Sequence, residues 1–181
     1  MERGILLIST CNEKFHELEF VRPIESILKK EGKACFIKNY KKLTSKDLET
    51  ADKVTICGTS LKDNEFLKNI DKFSWIKYFN KPLLGICAGM QIISMVFGSK
   101  VMKKTEIGFY TEEFNKSFLG LKDSQEVYHL HNNCCSLPRD FEEYTKSKIP
   151  QAIKHKQKEI YGVLFHPEVR QKELILSFLS L

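Results

Sequence analysis

The sequence predicts an α/β fold with a mostly parallel central sheet, helices on both of its faces and a few antiparallel strands. Short apolar runs alternate with helix-like patterns through the first half of the chain, which is typical of parallel strands joined by crossover helices. These runs are apolar at successive positions, as expected for strands that are buried on both faces. A chain of 181 residues without a linker-like or repetitive segment suits one domain that spans residues 1–181.

The first half of the chain contains four predicted strands, each a short apolar run: residues 4–9, 34–37, 54–58 and 82–86. Apolar residues at helical spacing around Pro23, followed by Gly32, predict a helix between the first two strands. Two further helices are predicted at residues 75–79 and 88–97.

The second half contains shorter strand-like pieces, of which residues 127–130 and 151–153 are the clearest. A hairpin through residues 154–159 would join the latter piece to the apolar run at residues 160–165. The chain closes with a predicted short helix at residues 172–181.

Composition favours an ordinary globular protein over a membrane or nucleic-acid-binding one. The chain is 42% hydrophobic and carries a net charge of +6, but its lysines form scattered pairs and not the clustered basic face that binds nucleic acid. No apolar run approaches the roughly 20 residues that cross a bilayer, and the N-terminus does not resemble a signal peptide. We therefore expect a cytoplasmic protein that contacts neither nucleic acid nor membrane.

The six cysteines show no paired Cys-x-x-Cys spacing, so we predict neither a metal site nor a bound cofactor in this chain. Cys35 and Cys57 lie in apolar runs and are predicted to be buried thiols. The adjacent Cys134 and Cys135 suggest no function, and we expect them in a loop or an edge strand.

Residues 82–91 carry the most informative pattern, PLLGICAGMQ, which contains Gly-x-Cys-x-Gly where an apolar run gives way to a helix-like run. This is the layout of a nucleophile elbow, a strained strand-to-helix turn that exposes a nucleophile at the end of a sheet. Glycines suit such a turn because the neighbouring backbone comes close. Cys87 would lie at a helix N-terminus, where the helix dipole favours its thiolate.

Residues 160–169, IYGVLFHPEV, supply potential partners for this thiol. The apolar run predicts a buried strand that ends in His166, and Glu168 follows two residues later. Pro167 between them has no N–H and would end the strand. A cysteine, a histidine that takes its proton and a carboxylate that orients the imidazole form a catalytic triad, Cys87, His166 and Glu168.

The elbow together with Tyr-Gly-Val-x-Phe-His-Pro-Glu-Val resembles the class I (triad) glutamine amidotransferases, across essentially the whole chain. Residues 85–91 and 152–169 most resemble the amidotransferase part of GMP synthetase. The resemblance implies the flavodoxin-like fold of that class. It also implies that Cys87 attacks the glutamine side chain to form a glutamyl thioester, with His166 as the proton carrier and Glu168 as its orienting group.

The resemblance implies a set of substrate-binding residues as well. Oxyanion donors would be the N–H of Ala88 and the loop at Gly58, although the family's Gly-Gly-Pro is here Gly58-Thr59-Ser60. Gln91 matches a glutamine-contacting position. His131 and Asn132 are the preferred match to a pair that faces the amino-acid head of the substrate, and His129 is the alternative to His131.

The resemblance further implies a partner. The chain contains no Ser-Gly-Gly-x-Asp-Ser motif of an ATP-pyrophosphatase, so the ammonia would pass to a separate synthetase subunit that binds ATP, Mg²⁺ and xanthosine monophosphate. The alternatives are a glutaminase subunit of the anthranilate or aminodeoxychorismate type, a stand-alone γ-glutamyl hydrolase, and a catalytically inactive binding domain.

Overall fold

A seven-stranded sheet forms the centre of the protein, whose computed structural model describes residues 3–181. The strands are β1 (Gly4–Ser9), β2 (Cys35–Asn39), β3 (Ala51–Ile56), β4 (Leu83–Ile86), β5 (Val101–Phe118), β6 (Leu121–Cys135), β7 (Phe141–Glu143), β8 (Ala152–His155) and β9 (Ile160–Val163). The central sheet has the order β2-β1-β3-β4-β9-β8-β7, while β5 and β6 pair with each other in a separate antiparallel sheet.

Helices and 3₁₀ turns connect these strands. The α-helices are α1 (Glu17–Phe20), α2 (Arg22–Lys30), α3 (Ser45–Thr50), α4 (Glu65–Lys68), α5 (Ala88–Val96), α6 (Pro167–Arg170) and α7 (Lys172–Leu179). The 3₁₀ segments are Lys14–His16, Tyr40–Lys42 and Ile70–Tyr78. No helix in residues 3–181 has the length and apolar character needed to cross a membrane.

The parallel part of the sheet confirms the predicted fold class. Strands β2, β1, β3, β4 and β9 are mutually parallel, and β8 and β7 extend the sheet in antiparallel fashion. Buried apolar clusters lie on both faces, one built around Phe20 and Phe178 and the other around Phe66 and Phe73. This two-sided burial explains why the parallel strands are apolar at successive positions.

Several element predictions hold closely. The first strand has the predicted bounds, the predicted hairpin joins β8 to β9, and the closing helix is α7. The helix around Pro23 is present, but it is divided at Val21 into α1 and α2, and Gly32 follows it with a φ of 65°. The helix predicted at residues 75–79 is instead a longer 3₁₀ segment, Ile70–Tyr78.

The strands predicted at residues 127–130 and 151–153 lie in β6 and β8, but the extent of the first was not predicted. Residues 101–135 form one long hairpin, with a turn at Leu119 and Gly120, where φ is 45° and 85°. Much of β5 is exposed and charged, so its sequence lacks the apolar run by which the other strands were predicted. The turn also lacks the Asn-Gly or Asp-Gly signal of a tight hairpin.

Candidate active site

Cys87 lies in the elbow between β4 and α5 with a backbone conformation that few L-residues adopt. Its φ is 50° and its ψ is −102°, and a non-glycine residue held there is strained by about 1–3 kcal/mol. The two glycines of the motif make room for this turn. A Cβ on Gly85 would lie 2.5 Å from the backbone of Gly89, and a Cβ on Gly89 would lie 2.2 Å from the Ile56 carbonyl oxygen. The motif therefore needs glycine at both positions for α5 to pack on the sheet.

The thiol of Cys87 is buried, and the residue is only 3% exposed. Its Sγ donates to the carbonyl oxygen of Leu130 on β6 at 3.6 Å, and its backbone N–H donates to the Val163 carbonyl at 2.8 Å. Cys87 is the N-cap residue of α5, so its side chain lies where the helix dipole favours negative charge.

His166 and Glu168 form a buried pair beside this thiol. His166 Nδ1 lies 2.8 Å from Glu168 Oε1, and the two residues are 2% and 7% exposed. The strand predicted to end at His166 ends earlier, at Val163. Pro167 begins the short helix α6, whose turn brings the Glu168 carboxylate back to the imidazole. The backbone N–H of His166 donates to the Tyr128 carbonyl at 2.8 Å, so β6 also holds the backbone that carries the ring.

The environment of His166 favours its protonated form. Burial lowers the pKa of the imidazole, but the charge of Glu168 and the neighbouring Cys87 outweigh burial and raise the pKa well above its usual value. Within residues 3–181, His166 Nε2 has no hydrogen-bond partner, since the thiol points to Leu130. In free enzymes the hydrogen bonds between catalytic groups are often long or misaligned, and they shorten when substrate binds.

Gly58 lies against both His166 and Cys87. A Cβ on Gly58 would lie 2.7 Å from His166 Cε1 and 3.5 Å from the Cys87 Cβ. The N–H of Ala88 is the first of α5, where a helix offers no acceptor of its own. Two of the positions predicted for oxyanion donors therefore flank the thiol.

A side-chain network holds the loop after Gly58 in place. Asp63 Oδ2 accepts hydrogen bonds from Thr59 Oγ1 at 2.9 Å and from the backbone N–H of Asn12. Leu61 O accepts from Asn132 Nδ2 at 3.3 Å. Sequence reasoning did not identify Asp63, because a lone aspartate in a loop carries no pattern that distinguishes it.

A small cavity lies between this loop, the thiol and β6. Gln91, Asn132 and Asn133 contribute polar groups to its wall, and its volume is about 20 Å³. That is room for roughly one water molecule. Gln91 Nε2 donates to the Asn133 carbonyl at 3.0 Å, which makes Asn133 a further site residue that the sequence did not suggest. The cavity is too small for a molecule the size of an amino acid.

The ring nitrogens of the two candidate histidines of β6 are directed toward β5, although His131 is among the residues that line this cavity. His131 Nδ1 lies 3.1 Å from the Lys104 carbonyl, and its Nε2 lies 3.1 Å from Glu106 Oε2. His129 is fully buried, with its nitrogens toward Glu106 and Glu112. Both histidine rings are therefore directed to β5. Of the predicted pair His131 and Asn132, it is Asn132 that extends its side chain to the cavity.

The adjacent cysteines, Cys134 and Cys135, are buried free thiols at the end of β6. Burial raises the pKa of Cys135 to about 12, and its Sγ donates to the Gln91 carbonyl at 3.7 Å. These thiols pack the hairpin against α5 and are not activated nucleophiles.

Comparison with known proteins identifies relatives in sequence. A family model described as Glutamine amidotransferase class-I matches residues 17–180. A glutamine-hydrolyzing GMP synthase subunit of Methanobrevibacter smithii is 36% identical over 105 residues, which cover 52% of this chain and 54% of that protein. The corresponding GMP synthase subunit of Pyrococcus abyssi is 36% identical over 117 residues, or 60% of this chain and 59% of that one. The chain thus spans about half the length of the curated relatives that it matches.

Solved structures share the fold. A Thermoplasma acidophilum protein named for a subunit of GMP synthase superimposes with a TM-score of 0.86 at 24% identity, covering 99% of this chain and 94% of its own. A glutamine amidotransferase from Thermotoga maritima gives a TM-score of 0.75 at 22% identity, covering 99% and 84%. These likenesses establish a common architecture.

Proposed function

The chain belongs to the class-I glutamine amidotransferase family, and on this premise we propose that it hydrolyses glutamine to glutamate and ammonia through Cys87. The observation that carries the proposal is the geometry around the elbow. A strained, buried thiol at a helix N-terminus lies beside a histidine that is hydrogen-bonded to a buried carboxylate at 2.8 Å. The backbone strain at Cys87 costs stability, and together with the hydrogen-bonded pair it forms the arrangement that activates a nucleophile.

In the proposed reaction, the Cys87 proton has already passed to His166, and the resulting thiolate attacks the side-chain carbonyl carbon of glutamine. Collapse of the tetrahedral intermediate breaks the C–N bond, and His166 gives its proton to the leaving ammonia. Water then gives a proton to His166 as it attacks the glutamyl thioester, which releases glutamate and restores the thiolate–imidazolium pair. The raised pKa of His166 supports this role, because an imidazolium beside Cys87 is the form that would accompany a thiolate.

The oxyanion of each tetrahedral intermediate would lie between the N–H of Ala88 and the backbone at Gly58. Donors that are fixed before the reaction contribute strongly, and the loss of one such donor costs about 10²–10³-fold in kcat in other enzymes. The absence of the family's second glycine and proline leaves Thr59 at the next position, tied to Asp63.

Glutamine binding requires the cavity to open. The loop at residues 59–64 is bonded to Asn132 and Asn133 on β6, through Leu61 O and Asn64 Oδ1. Breaking these contacts would free the loop and widen the cavity beside the thiol. Gln91 Oε1 is buried without a hydrogen-bond partner within residues 3–181, so it would be available to a donor on the substrate. We propose that substrate or a partner protein stabilises the open loop.

We propose that the acceptor of the ammonia is a separate synthetase subunit of the ATP-pyrophosphatase type, which binds ATP and Mg²⁺ and converts xanthosine monophosphate to GMP. This proposal is supported by relatives that are named as subunits of a glutamine-hydrolyzing GMP synthase. It would account for a pocket that is closed in the isolated chain.

The test is glutamate release by the purified chain, first alone and then with a candidate synthetase, ATP and xanthosine monophosphate. The Cys87→Ala variant should abolish release, and Cys35→Ala, which removes a half-buried thiol on β2, should retain it. Release that appears only with the partner would support the gated loop. Equal rates in wild type and Cys87→Ala, or no release under either condition, would refute the proposed activity and favour a binding domain.

A further inference from the structure

A second cluster of reactive side chains lies on the long hairpin, outside the proposed glutamine chemistry. Glu106 on β5 and His129 and His131 on β6 direct potential ligand atoms toward one another, and these atoms all lie within 4.8 Å. We propose that Glu106, His129 and His131 bind one divalent transition-metal ion of the Zn²⁺ class. The inference does not depend on the proposed glutaminase activity.

The two separations from Glu106 are close to those of a tetrahedral site. Glu106 Oε2 lies 3.1 Å from His131 Nε2 and 3.6 Å from His129 Nδ1. Zinc binds nitrogen and carboxylate oxygen at about 2.0–2.2 Å, so neighbouring ligand atoms of a tetrahedron are about 3.3–3.6 Å apart. Small side-chain rotations would place all three atoms on one ion. Two imidazoles and one carboxylate leave a fourth position for water.

The ring nitrogens that would face the ion lack other partners. His129 is fully buried and His131 is 2% exposed, yet both nitrogens of His129 and the Nε2 of His131 have no hydrogen-bond partner within residues 3–181. Buried polar atoms are costly without a partner.

Surrounding groups would hold these ligands in the orientation that a metal site needs. His131 Nδ1 lies 3.1 Å from the Lys104 carbonyl, so a proton on Nδ1 leaves Nε2 free to bind. His129 Nε2 lies 3.3 Å from Glu112 Oε1, and Glu106 Oε2 accepts from Gln151 Nε2 at 2.9 Å. Metal-binding histidines commonly donate their second N–H to a carboxylate or a carbonyl. The Lys104 carbonyl is so placed for His131, whereas Glu112 lies near His129 Nε2 without forming a hydrogen bond.

A route to the site is present. Lys104, Glu106, Glu112 and Gln151 also line a surface cavity of about 410 Å³. An ion could therefore reach the cluster without unfolding of the hairpin.

The site would act on the hairpin as a clamp. Leu130, whose carbonyl accepts from the Cys87 thiol, lies between the two histidine ligands in sequence. An ion held on both sides of Leu130 would fix this part of β6 and raise the stability of the folded chain.

The experiment uses the full chain with Cys87→Ala, which removes the thiol of the proposed active site. Titration with Co²⁺ should reach one ion per chain, with visible bands of a tetrahedral nitrogen–oxygen site and no near-ultraviolet thiolate band. Zn²⁺ at about 100 times its dissociation constant should raise the thermal midpoint by roughly 5–10 °C. Absence of stoichiometric binding, or a thiolate band, would overturn the proposal.

Variants locate the site. In the same background, Glu106→Gln, which keeps the size and hydrogen-bonding capacity of the side chain, and His129→Gln should each lose the Co²⁺ bands and the Zn²⁺ stabilisation. His16→Gln is the matched control, because it removes one imidazole outside the hairpin and should keep both signals. Binding by Glu106→Gln with unchanged affinity would place the metal elsewhere and refute the assignment. If His129→Gln does not fold, Glu106→Gln and the cobalt spectrum of the Cys87→Ala chain still decide the question.

Discussion

Replacing Gly58 with alanine should impair catalysis far more than folding. The new Cβ would lie 2.7 Å from His166 Cε1, whereas ordinary contact begins at 3.4 Å, so one group must move by about 0.7 Å (3.4 − 2.7). His166 is 2% exposed and packed against the ring of Phe20, with centroids 5.5 Å apart, so it has little room to yield.

The size of the effect follows from this displacement. A shift of His166 directly away from Glu168 would lengthen their 2.8 Å contact toward 3.5 Å, which is beyond a good hydrogen bond. Misplacement by about 1 Å can cost on the order of 10²-fold in rate, so we expect kcat to fall by about 10- to 100-fold. This corresponds to about 1.4–2.7 kcal/mol of transition-state stabilisation. The overpacking itself should lower stability by about 1–3 kcal/mol.

The matched control is Gly4→Ala. Its Cβ would also meet a neighbour at 2.7 Å, the Ala34 carbonyl oxygen, but at the start of β1 and not at the carboxyl end of the sheet, where the triad lies. Steady-state glutamate release, measured with the partner synthetase and its substrates, should separate the two. Both variants should lose stability, and only Gly58→Ala should lose kcat per folded molecule.

One result would refute this reasoning. If Gly58→Ala folds, binds glutamine and keeps kcat within about twofold of wild type, then His166 is not constrained by Gly58 during the reaction. Equal losses of kcat in Gly58→Ala and Gly4→Ala would likewise show that the defect arises from folding.

Three other substitutions test the site. Glu168→Gln should lower the pKa of His166, observed by NMR of the ring nitrogens, and reduce kcat by about 10²–10⁴-fold. Because the folded-state pKa of His166 is raised, the stability that its protonated form contributes should be fully present below about pH 6.5 and lost as the pH rises through the folded-state pKa. If the difference in unfolding free energy between wild type and Glu168→Gln does not change with pH across this window, the proposed interaction of His166 with Glu168 is wrong. Cys87→Gly should have a thermal midpoint about 2–4 °C above that of Cys87→Ala, because a φ of 50° costs glycine about 1 kcal/mol less than it costs alanine. A lower midpoint for the glycine variant would show that the backbone at this position is not strained. Gly89→Ala should cost about 3 kcal/mol or more in urea denaturation, since its Cβ would lie 2.2 Å from the Ile56 carbonyl, and near-wild-type stability would show that α5 can shift.

The alternation of apolar runs with helix-like patterns in the first half of the chain was sufficient to predict the parallel sheet. Strands that are buried on both faces must be apolar throughout, so β1 and β4 are visible in the sequence alone. Residues 127–130 of β6 were predicted as a strand, but the full hairpin β5–β6 was not, because most of β5 is exposed. An exposed strand leaves little hydrophobic pattern in its sequence.

By itself, the sequence determined the fold class and the candidate nucleophile, because both depend on local patterns. An elbow needs small residues close to Cys87 on both sides. Pro167 between His166 and Glu168 restricts how that segment can turn. Short motifs therefore carry this information. Only the tertiary structure decided which groups surround these motifs. The closed loop at Asp63, the orientation of His131 toward β5 and the cluster with Glu106 join segments far apart in the chain. Such contacts depend on strand register and side-chain packing, which no local pattern specifies.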